Sequence, residues 1–152
     1  MIEKTGLVIL VSALPAIELK GAIPLGLSLG LNPLFTLFVA ILFNSLIFFP
    51  VFFGLKIFHE NLFSKISFLN KYLEKIRKRG EPYVKKYGFL GLTLLISTSL
   101  PGTGVYTGSF LSWILGLDWK RAFLAITLGL IVSGIIVLSL SLGILNAIKL
   151  LV

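Results

Sequence analysis

The sequence predicts an all-α integral membrane protein, an inverted repeat whose halves each combine a re-entrant hairpin with a transmembrane helix and are joined by a basic amphipathic helix. Three observations predict this fold class. Of the 152 residues, 57% are hydrophobic and 13% are charged, which is too apolar for a soluble domain. The basic residues are concentrated in the middle of the chain, and the two halves of the sequence match each other at one fixed offset.

Two stretches without a charged residue predict transmembrane helices. Leu34 to Leu55 and Ala122 to Ile148 contain no charge, and each is long enough to cross a hydrocarbon core of about 30 Å. We therefore predict transmembrane helices over residues 34–55 and 121–146. The apolar regions 6–31 and 88–117 are also long, but proline and glycine interrupt both of them. Neither region has the pattern of a simple spanning helix.

The two halves align at an offset of 86 residues without a gap. The aligned pairs are Leu14-Pro15 with Leu100-Pro101, Leu29-Gly30-Leu31 with Leu115-Gly116-Leu117, and Asn32 with Asp118. Leucine matches are common in such a chain, whereas the shared proline, the Leu-Gly-Leu exit and the Asn/Asp position are more specific. We predict a single membrane domain over 1–152, with a first repeat at 5–55 and a second at 88–148.

The distribution of basic residues favours one of two topologies. Nine of the 14 basic residues lie between Lys56 and Lys86, and Lys120 and Arg121 add two more. Only if residues 6–31 and 88–117 are re-entrant hairpins do all eleven fall on one side, as the positive-inside rule requires. We therefore predict hairpins entering a multi-pass cell membrane from opposite faces. The linker 56–87 and the Lys120-Arg121 loop are then cytoplasmic, with both termini outside.

The linker is predicted to form an amphipathic helix. Apolar residues recur at spacings of three and four from Leu62 to Ile76, with lysines between them, and this helix is expected to end near Gly80 and Pro82. Two interpretations remain open at this point. The helix either lies on the membrane surface against anionic headgroups or packs under the bundle with a solvated basic face. The lone His59 is assigned no role.

Ionisable residues inside the first apolar region mark a candidate binding site. Glu18 and Lys20 lie in the run Glu18-Leu19-Lys20-Gly21-Ala22-Ile23-Pro24, and a lysine costs at least about 2.5 kcal/mol in hydrocarbon. An unwound stretch between Pro15 and Pro24 would bring the two charges to one side. Burial favours the protonated form of Glu18, whereas a nearby Lys20 favours its charged form. We therefore expect Glu18 to titrate near neutrality, and the sequence alone does not give the direction of the net shift.

The corresponding run of the second half, Ser97 to Gly108, supplies glycines and hydroxyl groups instead of charges. A helix starting just after Pro101 would direct its positive end into the same site. With Lys20 the site could hold a phosphate or carboxylate, and with Glu18 a cation or a proton. The alternative is that Glu18 and Lys20 pair to lock the hairpins together and that the glycines only allow close packing. The candidate substrate- and proton-binding residues are Glu18, Lys20, Gly21, Pro24, Thr98, Pro101, Gly102, Thr103, Gly104, Tyr106 and Thr107.

These residues do not predict an enzyme, a cofactor or a metal site. The chain has no cysteine and one histidine, so it lacks the usual thiolate and histidine metal clusters. No nucleophile, base and orienting group occur together in the pattern. The net charge of +8 belongs to loops that face anionic lipid, which argues against a nucleic-acid partner.

At both runs the sequence resembles the small multidrug export protein family, which carries an ELRGAIP-like motif in its first half and a PLPGTGAWTG-like motif in its second. This chain departs from those motifs in having Lys20 for arginine and Tyr106 for tryptophan. Lysine keeps the charge but loses the bidentate geometry of the guanidinium. The architecture is also distantly similar to the DedA membrane proteins, which implies proton-dependent flipping of polyprenyl phosphate lipids, although their arginine-bearing second motif is not found here.

The resemblance and the residues together predict a membrane transporter for proton-coupled export of a small amphiphilic or drug-like substrate. One alternative is a DedA-like flippase for a phosphate-headed lipid, and another is a non-transporting membrane scaffold. The expected partners are membrane lipids, the substrate, protons and at least one further copy of the chain. A homodimer could use the small residues Gly129, Ser133 and Gly134, which could instead seat the hairpins against the last helix.

Overall fold

The structure is a computed structural model that describes residues 1–15, 17–58, 67–99 and 102–151. The described residues form helices and no strand. In chain order the helices are α1 (Ile2–Ala13), α2 (Glu18–Ser28), α3 (Pro33–Phe58), α4 (Ser67–Tyr87), α5 (Phe89–Ser97), α6 (Val105–Ile114) and α7 (Trp119–Leu151). The all-helical prediction is confirmed for this part of the chain.

Helices α1 and α2 fold back on each other as an antiparallel hairpin. Lys4, at the start of α1, donates from Nζ to the carbonyl of Leu29, just after the end of α2, at 2.8 Å. Between these ends Gly26 lies against Val8. The break between the helices is shorter than the sequence predicted, because α2 begins at Glu18 and contains Pro24. The expected unwound stretch from Pro15 to Pro24 is therefore wrong.

Helix α2 tolerates Pro24 because the proline costs it only one backbone hydrogen bond and lies on its exposed face. Pro24 has no N–H for the carbonyl of Lys20, and its side chain is exposed. Leu19, Ala22 and Ile23, on the opposite face, are fully buried. Burial of this face holds the short helix together despite the missing hydrogen bond.

Helices α2 and α6, the second short helix of each half, end in the same way. After α2, Gly30 N donates to Leu27 O and Leu31 N donates to Gly26 O, each at 3.0 Å. After α6 the same pair of bonds runs from Gly116 to Trp113 and from Leu117 to Ser112. This is a Schellman motif, which requires a positive φ at its glycine; φ is 77° at Gly30 and 64° at Gly116. The repeated Leu-Gly-Leu motif thus has one structural meaning in both halves.

Helix α4 packs against both short helices of the second half, α5 and α6. Gly80 lies against Leu111 of α6 and Leu95 of α5, and Gly91 of α5 lies against the backbone at Tyr83. The prediction that this helix ends near Gly80 and Pro82 is wrong, since it continues to Tyr87. Gly80 provides the space for Leu111, and Glu81 bridges Arg77 and Lys85 across the proline. Residues 59–66, which include His59 and the first apolar positions of the predicted helix, lie outside the described residues.

The two long helices run antiparallel. The rings of Phe53 and Trp119 lie 6.1 Å apart at one end, while Gly134 lies against Leu37 and Ile41 further along. Each long helix also contacts a short helix of the other half: α7 packs against α2, and α3 packs against α6. The two halves therefore interlock.

The outer faces of α3 and α7 are apolar. Over their most hydrophobic windows only 33% and 44% of the residues are buried, whereas the core helix of a soluble protein would be mostly buried. The exposed side chains include Leu34, Phe38, Leu140 and Ile144. Both helices are long and apolar enough to cross a membrane, and this distribution suits helices in contact with lipid.

Candidate functional site

The site forms where the connection between α1 and α2 meets the connection between α5 and α6. Glu18 is the first residue of α2, and its side chain is 2% exposed. It adopts a left-handed backbone conformation with a φ of 51°, which is unfavourable for a residue that is not glycine. This conformation lies at the point where the chain reverses out of α1.

The carboxylate of Glu18 lies at the N-terminus of α6. Its Oε1 accepts a hydrogen bond from Tyr106 N at 3.4 Å, and its oxygens lie so close to Gly104 that a Cβ at this position would overlap them. Gly104 is the N-cap residue of α6 and has no side chain to cap the helix. Glu18 therefore supplies, from the first half of the protein, the acceptor that an N-cap side chain normally provides.

Lys20 contacts the same connection at Thr103. Its Nζ donates to the carbonyl of Thr103 at 3.1 Å and to Thr103 Oγ1 at 3.3 Å. The two residues are separated by only one position on α2, so their side chains start from opposite faces of the helix. They nevertheless reach the same segment, because Glu18 is at the end of the helix and the lysine stem is long.

Hydroxyl groups complete the contact between the halves. Tyr106 donates from its phenol to the carbonyl of Ala13, at the end of α1, at 2.6 Å. Within the second half, Thr98 Oγ1 lies 3.3 Å from Thr103 Oγ1, and Thr107 donates to the carbonyl of Gly102. α6 begins at Val105, so the expected helix start just after Pro101 is wrong by several residues.

Three of the predicted site residues lie elsewhere or are not described. Gly21 lies against Ile17 and Val11 within the first hairpin, and Pro24 is exposed on α2. Pro101 lies outside the described residues. The structure brings together Glu18, Lys20, Thr98, Gly102, Thr103, Gly104, Tyr106 and Thr107.

Two polar residues of the long helices hold the short helices in place. Asn44 was not singled out from the sequence, and Ser133 was considered only as a small residue for helix packing. Asn44 donates from Nδ2 to the carbonyl of Ser12 at 2.9 Å, between α3 and the end of α1. In the second half Ser133 of α7 lies 2.8 Å from the hydroxyl of Ser99, just after α5. The signal for this role was present in the sequence, since Asn44 is an amide within a largely apolar stretch, and the structure buries it fully.

The small residues of α7 are used inside the chain. Gly129 lies against Ile96 and the carbonyl of Thr93 on α5, and Gly134 lies against Leu37 and Ile41 on α3. Ser133 is fully buried. Gly129 and Ser133 therefore seat the end of α5 against α7, whereas Gly134 packs α7 against α3. The homodimer stays a prediction.

A cavity beside the site was also not predicted. It has a volume of about 140 Å³ and lies between α4 and the connection that contacts Lys20. Its lining residues are Lys75, Ile76, Arg79, Gly80, Leu95, Gly102, Thr103 and Thr107. No sequence pattern could locate it, because the contact between α4 and α6 depends on tertiary packing.

The chemistry of this arrangement is that of binding. A buried carboxylate, an ammonium group and several hydroxyls converge, so the site can exchange a proton or hold a small charged group. Among the described residues no group of three His, Cys, Asp or Glu side chains lies close enough to hold a metal ion.

Comparison with known proteins agrees with the sequence motifs. The model of the family described as "Putative small multi-drug export protein" matches residues 18–136, a range that contains both parts of the site. No curated protein and no solved structure matches the chain.

Proposed function

The chain belongs to the small multi-drug export protein family and is a membrane transporter, and on this basis we propose that it exports a small amphiphilic cation in exchange for protons. In this proposal Glu18 carries either the proton or the cation. The residues from Gly102 to Thr107 form the facing wall, and Lys20 anchors that wall. The protein acts as a carrier and not as an enzyme.

The observation that carries the proposal is the position of the Glu18 carboxylate. It belongs to the first half of the chain, yet it lies at the positive end of a helix from the second half, with a hydrogen bond of 3.4 Å to Tyr106 N. The attraction between a charged carboxylate and a helix N-terminus is worth up to about 2 kcal/mol in a partly buried position. A long hydrogen bond leaves the carboxylate available to a competing ligand.

Neutralisation of Glu18 would therefore loosen the contact between the halves. A proton or a bound cation removes the net negative charge that attracts α6, and the two connections can then separate. Because proton and cation compete for one carboxylate, the loading of one requires release of the other. This competition is the requirement for exchange across a membrane.

We further propose that the halves are inverted repeats whose short helices form re-entrant hairpins. Helix α1 has 12 residues and α5 has 9, whereas a helix that crosses the bilayer needs about 20. The antiparallel course of α3 and α7 supports opposite orientations of the halves. Lys56 lines a common cavity with Asp118 and Trp119, so the linker end of α3 lies beside the start of α7, and we propose that this end is cytoplasmic.

Proton release on substrate binding tests the function. Purified protein in weakly buffered detergent is mixed with tetraphenylphosphonium, a lipophilic cation, while the pH is recorded. We expect a release of protons that is lost in Glu18→Gln and retained in Glu3→Gln, which changes an exposed glutamate of α1. Equal release from wild type and Glu18→Gln would contradict the proposal.

Flipping of a phosphate-headed lipid is the second candidate, and the contact of Lys20 with Thr103 favours it. The ammonium group and the hydroxyls of Thr98 and Thr103 lie together, and such a set can bind a phosphate. In the same assay a short-chain polyprenyl phosphate should then cause proton uptake that depends on Glu18. A scaffold that does not transport would keep its function in Glu18→Gln.

A further inference from the structure

We propose that the cavity between α4 and residues 102–107 is a binding site for a phosphate-type anion. Glu18 does not line this cavity, and occupation of the cavity does not require the proton exchange proposed above. The inference therefore goes beyond the transported substrate and can be tested without transport.

The lining of the cavity combines basic, hydroxyl and apolar groups. Lys75 and Arg79 are exposed and lie one turn apart on α4, so both can reach a ligand from the same side. Thr103 contributes a hydroxyl group to the lining, whereas the hydroxyl of Thr107, which is 8% exposed, already donates to the carbonyl of Gly102. Ile76 and Leu95 form an apolar wall. An anion attached to an apolar chain fits this combination.

The charge around the cavity favours an anion. Helix α4 has seven basic and two acidic residues. Of the acidic residues, Glu81 pairs with Arg77 at 3.0 Å and with Lys85 at 2.6 Å, so it neutralises cations other than those that line the cavity. Glu74 shares a neighbouring cavity with Lys75, Arg79 and two further lysines, so basic groups remain in excess there. A guanidinium group binds two phosphate oxygens at once, and a lysine adds a point charge.

The cavity is smaller than the pockets that enclose drug-sized ligands. Pockets that enclose drug-sized molecules have volumes of about 300–1,000 Å³, whereas this cavity has about 140 Å³. That volume corresponds to about four or five water molecules, which is enough for a phosphate group. If the ligand is a lipid, the cavity takes its headgroup and the acyl chains remain outside.

The cavity shares Thr103 with the contact to Lys20, and this residue lies next to Gly104, which contacts Glu18. Thr103 lines it and at the same time accepts hydrogen bonds from Lys20 at its carbonyl and its hydroxyl. An anion bound here therefore lies one residue away from Gly104 and the N-terminus of α6. The basic linker helix is thus part of a binding site and more than a solvated surface.

Calorimetric titration of purified protein in detergent tests this site. The probes are dioctanoyl phosphatidic acid, inorganic phosphate and dioctanoylglycerol, which has the same chains without the phosphate. We expect phosphatidic acid to bind and the double variant Lys75→Gln/Arg79→Gln to bind it at least tenfold more weakly. The control Lys78→Gln/Lys86→Gln removes the same charge from α4 outside the cavity, and its affinity should change less than about threefold.

The outcomes distinguish the sources of the anion. Binding of phosphatidic acid without inorganic phosphate identifies a lipid headgroup, and similar binding of both identifies a free phosphate; either result supports the proposal if the double variant loses it. The proposal is overturned if no phosphate compound binds, if dioctanoylglycerol binds equally well, or if the control variant loses as much affinity. Binding in Glu18→Gln is expected to persist, so failure here is distinct from failure of proton exchange.

Discussion

At the scale of single residues, Glu18 and Gly104 work as a pair. Gly104 leaves the N-terminus of α6 without a side-chain cap, and the absence of a Cβ lets the carboxylate of Glu18 approach. Glu18 accepts a left-handed backbone conformation at this position, which costs about 1–3 kcal/mol for a residue other than glycine. A strained backbone and a buried carboxyl group both cost free energy, which indicates that the side chain of Glu18 has a role at this position.

The substitution Gly104→Ala tests this pair. The added methyl group would overlap the Glu18 carboxylate, so the helix or the carboxylate must move. We expect loss of Glu18-dependent proton release and a fall of about 1–3 kcal/mol in the free energy of unfolding. The matched control is Gly54→Ala, since a Cβ at this position of α3 meets no atom within 4 Å. Full proton release in Gly104→Ala would show that the close contact is not required.

At the scale of helices, the two long helices begin with side-chain caps at the positions that the offset of 86 aligns. Asn32 accepts hydrogen bonds from Leu34 N at 3.0 Å and Phe35 N at 3.2 Å. Asp118 accepts one from Arg121 N at 3.4 Å. These residues satisfy donors that the helix itself leaves unpaired.

Loss of the Asn32 cap should therefore weaken the protein. We expect Asn32→Ala to lower the free energy of unfolding by about 1 kcal/mol, and Asp118→Ala by less because its hydrogen bond is longer. Asn32→Asp keeps the acceptor and serves as the control. Thermal unfolding in detergent measures all three, and a larger loss in Asp118→Ala would contradict the ranking drawn from the bond lengths.

Helix α4 should respond to acid through Glu81. Hydrogen bonds from Lys85 and then Arg77 hold the pKa of Glu81 below its ordinary value of 4.5. A carboxyl group with a lowered pKa stabilises the fold above its ordinary pKa, and this contribution disappears as the pH falls through the lowered value. The unfolding temperature of wild type minus that of Glu81→Gln should thus shrink below pH 4.5. A constant difference across this range would contradict the assignment.

At the scale of the whole molecule, the interlocked halves meet at two connections with different chemistry. The connection of the first half leads into the two charged residues of α2, and that of the second half supplies backbone and hydroxyl groups. Such an asymmetric site between two similar halves suits a carrier, because movement of one half against the other changes access to it.

The proposed topology can be tested with single cysteines, since the natural chain has none. We expect Glu3→Cys to react with a membrane-impermeant maleimide in intact cells. Lys78→Cys and Lys120→Cys should react only after permeabilisation, because the linker and the start of α7 are proposed to face the cytoplasm. Labelling of Lys78→Cys and Lys120→Cys from opposite sides would instead mean that the second apolar region crosses the membrane.

The sequence by itself determined the features that depend on local interactions. Hydropathy located α3 and α7, because the length of an apolar helix must match the thickness of the bilayer. The offset of 86 aligned positions that form the same Schellman motif and the same helix caps, since these bonds join residues close in sequence. Eight of the eleven predicted site residues lie together in the structure, whereas Gly21 and Pro24 lie elsewhere and Pro101 lies outside the described residues.

The tertiary structure alone decided which of these elements touch. Helix α4 continues through Gly80 and Pro82 because Gly80 packs against Leu111, and α2 tolerates Pro24 because its other face is buried. The cap that Glu18 provides for α6 and the cavity beside Thr103 join residues far apart in the chain. Local patterns do not encode such contacts, because they depend on how the whole set of helices packs.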